Sequence, residues 1–254
     1  MRTNIRILPQ TDILFKNTNN ILPMDILVLN KATQLHTTLL NQGHVSQIMQ
    51  LREQVLAMLI HEECYIREQD EYGFIQQHCG VRGETFGVFS NDKLIAYASL
   101  GFHSTLDKAN LGCIAGLAPY LYNQVSQLAS CMVSPAFQGR GLHKLLINKR
   151  LALAHAKGYP HCLSVISPQN IPSRGNLLQR GFHIYWVGEL PGLSTQHILY
   201  YNTQQPMPRL AIHLTQQVHM LDIARQKQLL QQGYYGYAND KLDTHTLLFA
   251  PLSL

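Results

Sequence analysis

CMVSPAFQGRGLHKLLINKR, residues 131–150, carries the reading of this chain. An apolar run ending at Val133 has the composition of a strand, and Pro135 closes it. Beyond Gly141, Leu142, Leu145, Leu146 and Leu153 share one side of a helix that Gly158 follows. Between the two lies Gln138-Gly139-Arg140-Gly141. The first turn of a helix has N–H groups without intrahelical partners and the positive end of the helix dipole. A phosphate there is held by the backbone itself, and glycines let its oxygens come close. Arg140 and Lys144 would add charge at the rim. The alternative is a glycine-rich turn that only reverses the chain. No GK[ST] follows, and GxGxxG is incomplete, so this is neither a Walker loop nor a dinucleotide fingerprint.

Outward from that stretch the chain alternates strands and helices. DILVLN, residues 25–30, reads as a first strand. Ile48, Leu51, Val55, Met58 and Leu59 recur at helical spacing over residues 46–61. Residues 68–80 read as a second helix closed by Gly80. Alternation on both sides of Asn91-Asp92 predicts a hairpin. Residues 103–124 lose all pattern and read as a long loop, the kind that is often functional. Val125–Val133 is a strand, residues 141–157 a helix, 161–167 a strand and 172–180 a short helix stopped by Gly181. FHIYWVG and TQHILYYN supply two more strands. The order predicts a mixed sheet with helices on its faces.

Composition narrows the class. The chain has 254 residues, 46% hydrophobic and 14% charged, with 13 histidines, which suits a folded core rather than disorder. A net charge of +5, scattered, does not argue for nucleic acid. Five cysteines without a CxxC pair argue against a disulfide framework or a structural zinc site. The first twenty residues lack the apolar core of a signal peptide, and no run is long enough to span a bilayer. The expectation is a cytoplasmic, reducing compartment, with no membrane and no nucleic-acid partner.

VSPAFQGRGL resembles the acyl-CoA signature of the GCN5-related N-acetyltransferases, V-x-P-x-x-[QR]-x-x-G-x-[GA]. Val133, Pro135, Gln138 and Gly141 fit it. The second half of the family pattern follows in register at Asn170, Ser173, Gly181 and Phe182. The resemblance spans roughly residues 25–202. It implies an α/β (α+β) fold with a mostly antiparallel sheet, helices on its faces and splayed central strands. It also implies acetyl-CoA as cosubstrate, no metal, and direct attack by an amine on the thioester. The pantetheine arm would pair with backbone of Cys131, Met132 and Val133, and the diphosphate would sit on Gln138, Gly139, Arg140, Gly141, Leu142 and His143. A backbone N–H near Met132 would polarise the thioester carbonyl. Asn170 and Ser173 would hold the arm from the other side.

The chain departs from that pattern at three places. His143 stands where the family has Gly or Ala, which would bring its ring near phosphate. Leu177 stands where many members carry the Tyr that protonates the leaving thiolate, so another hydroxyl such as Tyr185 gives that proton, or water does, or the enzyme is slow; the alternative for Tyr185 is strand packing. The stretch before the cradle, YNQVSQLASCMV, has no Asp, Glu or His to act as base. His103, after the second hairpin strand, is the substitute, with an imidazole suited to neutral pH. HEEC at residue 61 opens like a zinc-protease motif, but position 65 is Tyr. Glu62, Glu63, Glu68, Asp70 and Glu71 form an acidic patch that would attract a cationic acceptor or simply face solvent.

The tail has a pattern of its own. RLAIHL reads as a strand; Leu221, Ile223, Ala224, Leu229 and Leu230 give a helical face stopped by Gly233; YYGYA and TLLFAPL read as two strands. LLQQGYYGYA…HTLLF echoes LLQRGFHIYW…HILYY fifty-two residues earlier, either as a partial repeat or as a common local solution. The expected organisation is an acyltransferase domain over 1–203 and a helix–strand–strand extension over 204–254. The extension would pack on the sheet edge after HILYYN or on the same edge of a second subunit, making a homodimer. The expected activity is acetyl transfer to a primary amine of a small molecule or peptide. A catalytically weak acyl-CoA sensor and a longer-chain acyltransferase are the alternatives.

Overall fold

The computed structural model describes residues 26–30, 33–59, 64–65, 67–104, 110–205 and 209–253, with side chains from Leu35 onward. The elements in chain order are β1 (Ile26–Asn30), β2 (Thr33–Leu40), α1 (Val45–Leu56), α2 (Glu71–Gln77), β3 (Gly83–Ser90), β4 (Lys93–Phe102) and α3 (Leu111–Ile114). They continue with β5 (Val125–Val133), α4 (Leu142–Ala156), β6 (His161–Ile166), α5 (Ile171–Gln179), β7 (His183–Glu189) and β8 (Thr195–Asn202). The tail contributes β9 (Gln216–His219), α6 (Ile223–Gln231), β10 (Tyr234–Asn239) and β11 (Thr246–Pro251).

One sheet runs in the order β1-β2-β3-β4-β5-β6-β8-β7-β10-β11-β9. Every neighbouring pair is antiparallel except β5 and β6. The β3–β4 turn is the predicted hairpin, with Asn91 at φ 53°, a left-handed value that Asn tolerates better than most residues. The sequence reading misses β2, whose three threonines and one histidine hide the alternation of a half-buried strand. It places a strand at residues 209–214, where the backbone instead makes a single bridge, Leu210 to Leu252, and a 3-10 turn; the strand is β9. Residues 103–124 hold α3 and a 3-10 turn over Pro119–Gln124, apart from residues 105–109, which lie outside the described residues. The HEEC histidine and the acidic residues 62 and 63 also lie outside them.

Each face of the sheet is covered. Ile48, Leu51 and Leu56 of α1 and Ile75 of α2 pack on Phe89, Leu94, Tyr97 and Met132. Leu146, Leu153 and Ala154 of α4 and Leu177 and Leu178 of α5 pack on Ala98, Leu128 and Cys162. The α3 segment covers Val125, Leu163 and Ile198. Cys162 and Leu163 are successive on β6, so α3 lies on the face opposite α4.

The tail continues the same core: Val218, Leu229, Leu247 and Phe249 pack with Phe182 and Ile184. It does not reach the edge after HILYYN, because β8 is already flanked by β6 and β7. The tail joins β7 instead, where Gly236 of β10 faces Ile184. The repeat read from LLQ-x-Gly is wider than the sequence indicates. Both copies run strand, acidic or amide cap, helix, positive-φ glycine, strand, strand. Asn170 caps α5 by accepting from Ser173 N–H, and Asp222 caps α6 by accepting from Arg225 N–H. Gly181 and Gly233 have φ of 96° and 80°. The second copy is laid down in mirrored strand order, and the junction pair Ile184 and Gly236 are equivalent positions, so the copies are related by a pseudo-two-fold axis. Equivalent buried residues of α5 and α6 cross it. Arg174 donates to Asn239 Oδ1 and the Thr244 carbonyl, both at 3.0 Å, and Gln226 Oε1 lies 2.8 Å from His197 Nε2.

Candidate active site

The parallel pairing of β5 and β6 covers Val125, Ser126 and Gln127 and stops. Beyond Gln127 the strands separate, although both continue. Leu128 to Cys131 line one wall of the resulting cavity and Ser164 to Ser167 the other. Ser134 N–H donates to the Ile95 carbonyl on β4. Alternation along an antiparallel ladder then turns Met132 N–H toward β4 and the N–H groups of Cys131 and Val133 into the split. The donor facing the cleft is therefore one residue to either side of Met132.

β5 carries a bulge where the cleft opens: Leu100 pairs with Leu128 and Ala98 with Cys131, so Ala129 and Ser130 together oppose Ser99. Two fully buried arginines hold it from opposite faces. Arg150 of α4 donates from Nη1 to the Ser99 and Ala129 carbonyls, each at 3.3 Å. Arg52 of α1 pairs with Glu71 at 2.7 Å, donates to the Tyr65 hydroxyl, and reaches Tyr97 and Ser130 at 3.3 and 3.4 Å. The Tyr97 hydroxyl and Ser130 Oγ are 2.8 Å apart.

The cradle stands at the cleft's end. Gly139 and Gly141 have φ of 73° and 79°, and a Cβ at either would meet nothing within 4 Å. The first bond within α4 is from Leu145 N–H to the Gly141 carbonyl, so the N–H groups of Leu142, His143 and Lys144 precede the ladder. Gln138 Nε2 donates to the Val133 carbonyl, tying the loop to the end of β5. Arg140 stacks over Phe137, and Lys144 Nζ donates to Gln179 Oε1. An open glycine loop, free first-turn N–H groups and two nearby cations fit a diphosphate.

Other predicted residues have different surroundings. The His143 ring turns inward, takes a hydrogen bond at Nδ1 from Asn176 Nδ2 at 3.0 Å, and lines the cavity. Burial, with Arg150 adding to it, pushes its pKa down to about 3, so the ring is neutral. It is not at the loop's outer surface beside a phosphate. Asn170 and Ser173 line the cavity, but the Asn170 amide is engaged: Oδ1 accepts from Ser173 N–H, and Nδ2 donates to the Cys64 carbonyl across the cleft. Leu177, 2% exposed, lines the cavity at the position of the family tyrosine. His103 Nε2 is 2.8 Å from Gln127 Oε1, and Gln127 lines the cavity. Tyr185 is outside the lining, in an aromatic cluster with His183, Tyr200 and Tyr235.

Sequence reasoning missed the wall formed by Tyr65, Glu68 and Phe74. Glu68 was visible only as one member of an acidic patch. Its side chain is exposed at the rim, where desolvation raises its proton affinity, opposed by Arg52 and helped by Glu71. Arg52 and Arg150 were missed as well.

The sequence pattern described as the acetyltransferase (GNAT) family matches residues 53–182, just over half of the chain. The chain belongs to this family. It is an acetyltransferase with acetyl-CoA as cosubstrate. The GNAT domain of S. lividans PAT superposes with a TM-score of 0.52 at 16% identity, covering 70% of this chain and 96% of that one. A probable acetyltransferase from Staphylococcus epidermidis ATCC 12228 gives 0.51 at 17%, covering 66% and 99%. The PaiA N-acetyltransferase of Thermoplasma acidophilum, solved with coenzyme A, gives 0.48 at 14%, covering 66% and 98%. The first two likenesses show the fold. No curated protein matches the chain. Among the described residues there is no cluster of His, Cys, Asp and Glu that could hold a metal, and no helix long and apolar enough to cross a membrane.

Proposed function

We propose that the chain transfers the acetyl group of acetyl-CoA to a primary amine by direct attack, without an acyl-enzyme. The carrying observation is the split beyond Gln127 running into the open glycine cradle. Backbone of Cys131 and Val133 would pair with the pantetheine arm, and the N–H groups from Gly139 to Lys144 would hold the diphosphate. The amine enters past Tyr65, Glu68 and Phe74. Its proton passes to the Glu68 carboxylate, whose proton affinity desolvation raises above that of a free carboxylate. His103 acts behind the wall, holding Gln127 toward the acceptor. The acceptor is an amine of a small molecule or peptide.

Gly141→Glu tests the reading. A carboxylate at that φ meets the diphosphate, and acetyl-CoA binding measured by calorimetry should fall by at least about 100-fold, the loss of some 2.7 kcal/mol. Unchanged affinity in a folded variant would remove the basis of the assignment.

A further inference from the structure

Arg150 is 1% exposed, in the middle of α4, with its guanidinium beneath the β5 bulge. Nε donates to the Leu146 carbonyl at 3.2 Å, and Nη1 serves the Ser99 and Ala129 carbonyls. Nη2 is left over. Among the described residues no carboxylate pairs with this cation. The titratable groups around it are Cys131 on β5, Cys162 on β6 and His143 on α4. Burial pushes the Cys131 thiol up and the Cys162 thiol up to about 12, so both are neutral, as is His143. A full positive charge therefore lies in a desolvated site without a counter-charge, an arrangement that burial makes unfavourable.

Neither of the other two buried arginines among the described residues combines an unpaired charge with a spare nitrogen. Arg52 has Glu71. Arg174 has no carboxylate either, but each of its three nitrogens meets an acceptor: Asn239 Oδ1, the Pro168 carbonyl, the Thr244 carbonyl and the Met220 sulfur. Of the three, only Arg150 lines the cavity.

The absent anion is one that the proposed reaction makes, and the inference rests on that reading. As the amine nitrogen bonds to the thioester carbon, the carbon–sulfur bond breaks and its electron pair goes to sulfur. The amine proton goes to Glu68. Sulfur is left as a thiolate within the cleft, facing Leu177, which has no proton to give. We propose that Arg150 stabilises the departing thiolate of coenzyme A by charge, in place of an acid that protonates it. The attraction acts in a site sheltered from water, where it is far stronger than in bulk. The thiolate takes its proton from water when coenzyme A leaves.

The test titrates coenzyme A on the full chain. Thiolate absorbs in the ultraviolet, and the complex with desulfo-coenzyme A serves as the blank that cancels the five protein cysteines. The bound thiol should ionise at least about one pH unit below free coenzyme A, a tenfold stronger acid. Affinity for coenzyme A should rise with pH relative to desulfo-coenzyme A. In Arg150→Gln both effects should vanish while desulfo-coenzyme A still binds, and Arg150→Lys should keep part of them. The wild-type titration stands even if a variant misfolds. A bound thiol that ionises at or above the pH of free coenzyme A overturns the role of Arg150 and leaves the proposed function intact. A low value that survives in Arg150→Gln overturns it too. Failure of coenzyme A and desulfo-coenzyme A alike to bind the wild type overturns both.

Discussion

The buried arginines lie on the inward stripes of their helices. Arg52 continues Val45 and Ile48 and precedes Leu56; Arg150 continues Leu142 and Leu146; Arg174 precedes Leu177 and Leu178. That spacing was legible, since a cation on an apolar stripe must be buried with partners. What each would meet was not, because partners lie as far off in sequence as 13 residues for Arg52–Tyr65 and 78 for Arg52–Ser130. At this scale Glu68→Gln should lower turnover by about 100-fold or more while acetyl-CoA affinity holds. The wild-type rate should fall as pH drops through a carboxylate pKa above the ordinary value, the direction Glu68 shows. Steady-state kinetics across pH checks both, and a variant with normal turnover would return the role to another group. The neutral histidines give a second expectation. Burial holds His143 and His197 down to about 3 and His183 to about 4. Above about pH 6.5 neither folded nor unfolded chain protonates them, and stability is full. Below it the unfolded chain gains protons that the folded chain refuses. Stability then falls by up to about 1.4 kcal/mol per pH unit for each, until the folded values are reached. Urea midpoints between pH 7 and pH 5 should shift downward, and less so in His197→Gln; a flat profile would contradict the burial argument.

Among the elements, the cradle was the most legible. Pro135, the two glycines and the leucine stripe of α4 are local signals, and each acts through its own backbone. The junction of β7 and β10 is the opposite case. A Cβ on Gly236 would sit 2.8 Å from Ile184 Cδ1 and 3.0 Å from Phe249 Cζ. Nothing in YYGYA announces that neighbour. Gly236→Val should overpack the junction and cost about 1–3 kcal/mol, since the sheet has no slack there. Thermal melting checks the cost. Limited proteolysis should also cut the tail first, because β10 and β7 share a single ladder pair. A variant as stable and as resistant as the parent would mean that the junction is loose.

For the whole molecule, the tail is a structural half rather than a cover. Val218, Leu229, Leu247 and Phe249 share one core with Leu177, Phe182 and Ile184. Arg174 finds Asn239 and the Thr244 carbonyl, and His197 finds Gln226, across the pseudo-two-fold axis. A chain ending at Asn202 would leave Arg174 and His197 without those partners, and unmet buried polar groups cost about 1–3 kcal/mol each. We expect that chain to aggregate or to lose its near-ultraviolet circular dichroism. A soluble 1–202 chain with a sharp, cooperative melt would establish that the acyltransferase unit stands alone.

The sequence by itself determined the order of most strands and helices, the glycine cradle and the family signature. These rest on periodicity, capping and backbone freedom, all of which act within about ten residues. Tertiary structure alone decided that Arg150 and Leu177 share a cavity with Glu68, that β8 lies between β6 and β7, and that the tail meets β7 as a second copy of its own motif. Those facts depend on which surfaces meet when separate elements bury their apolar faces together, and that choice is made by the whole core at once.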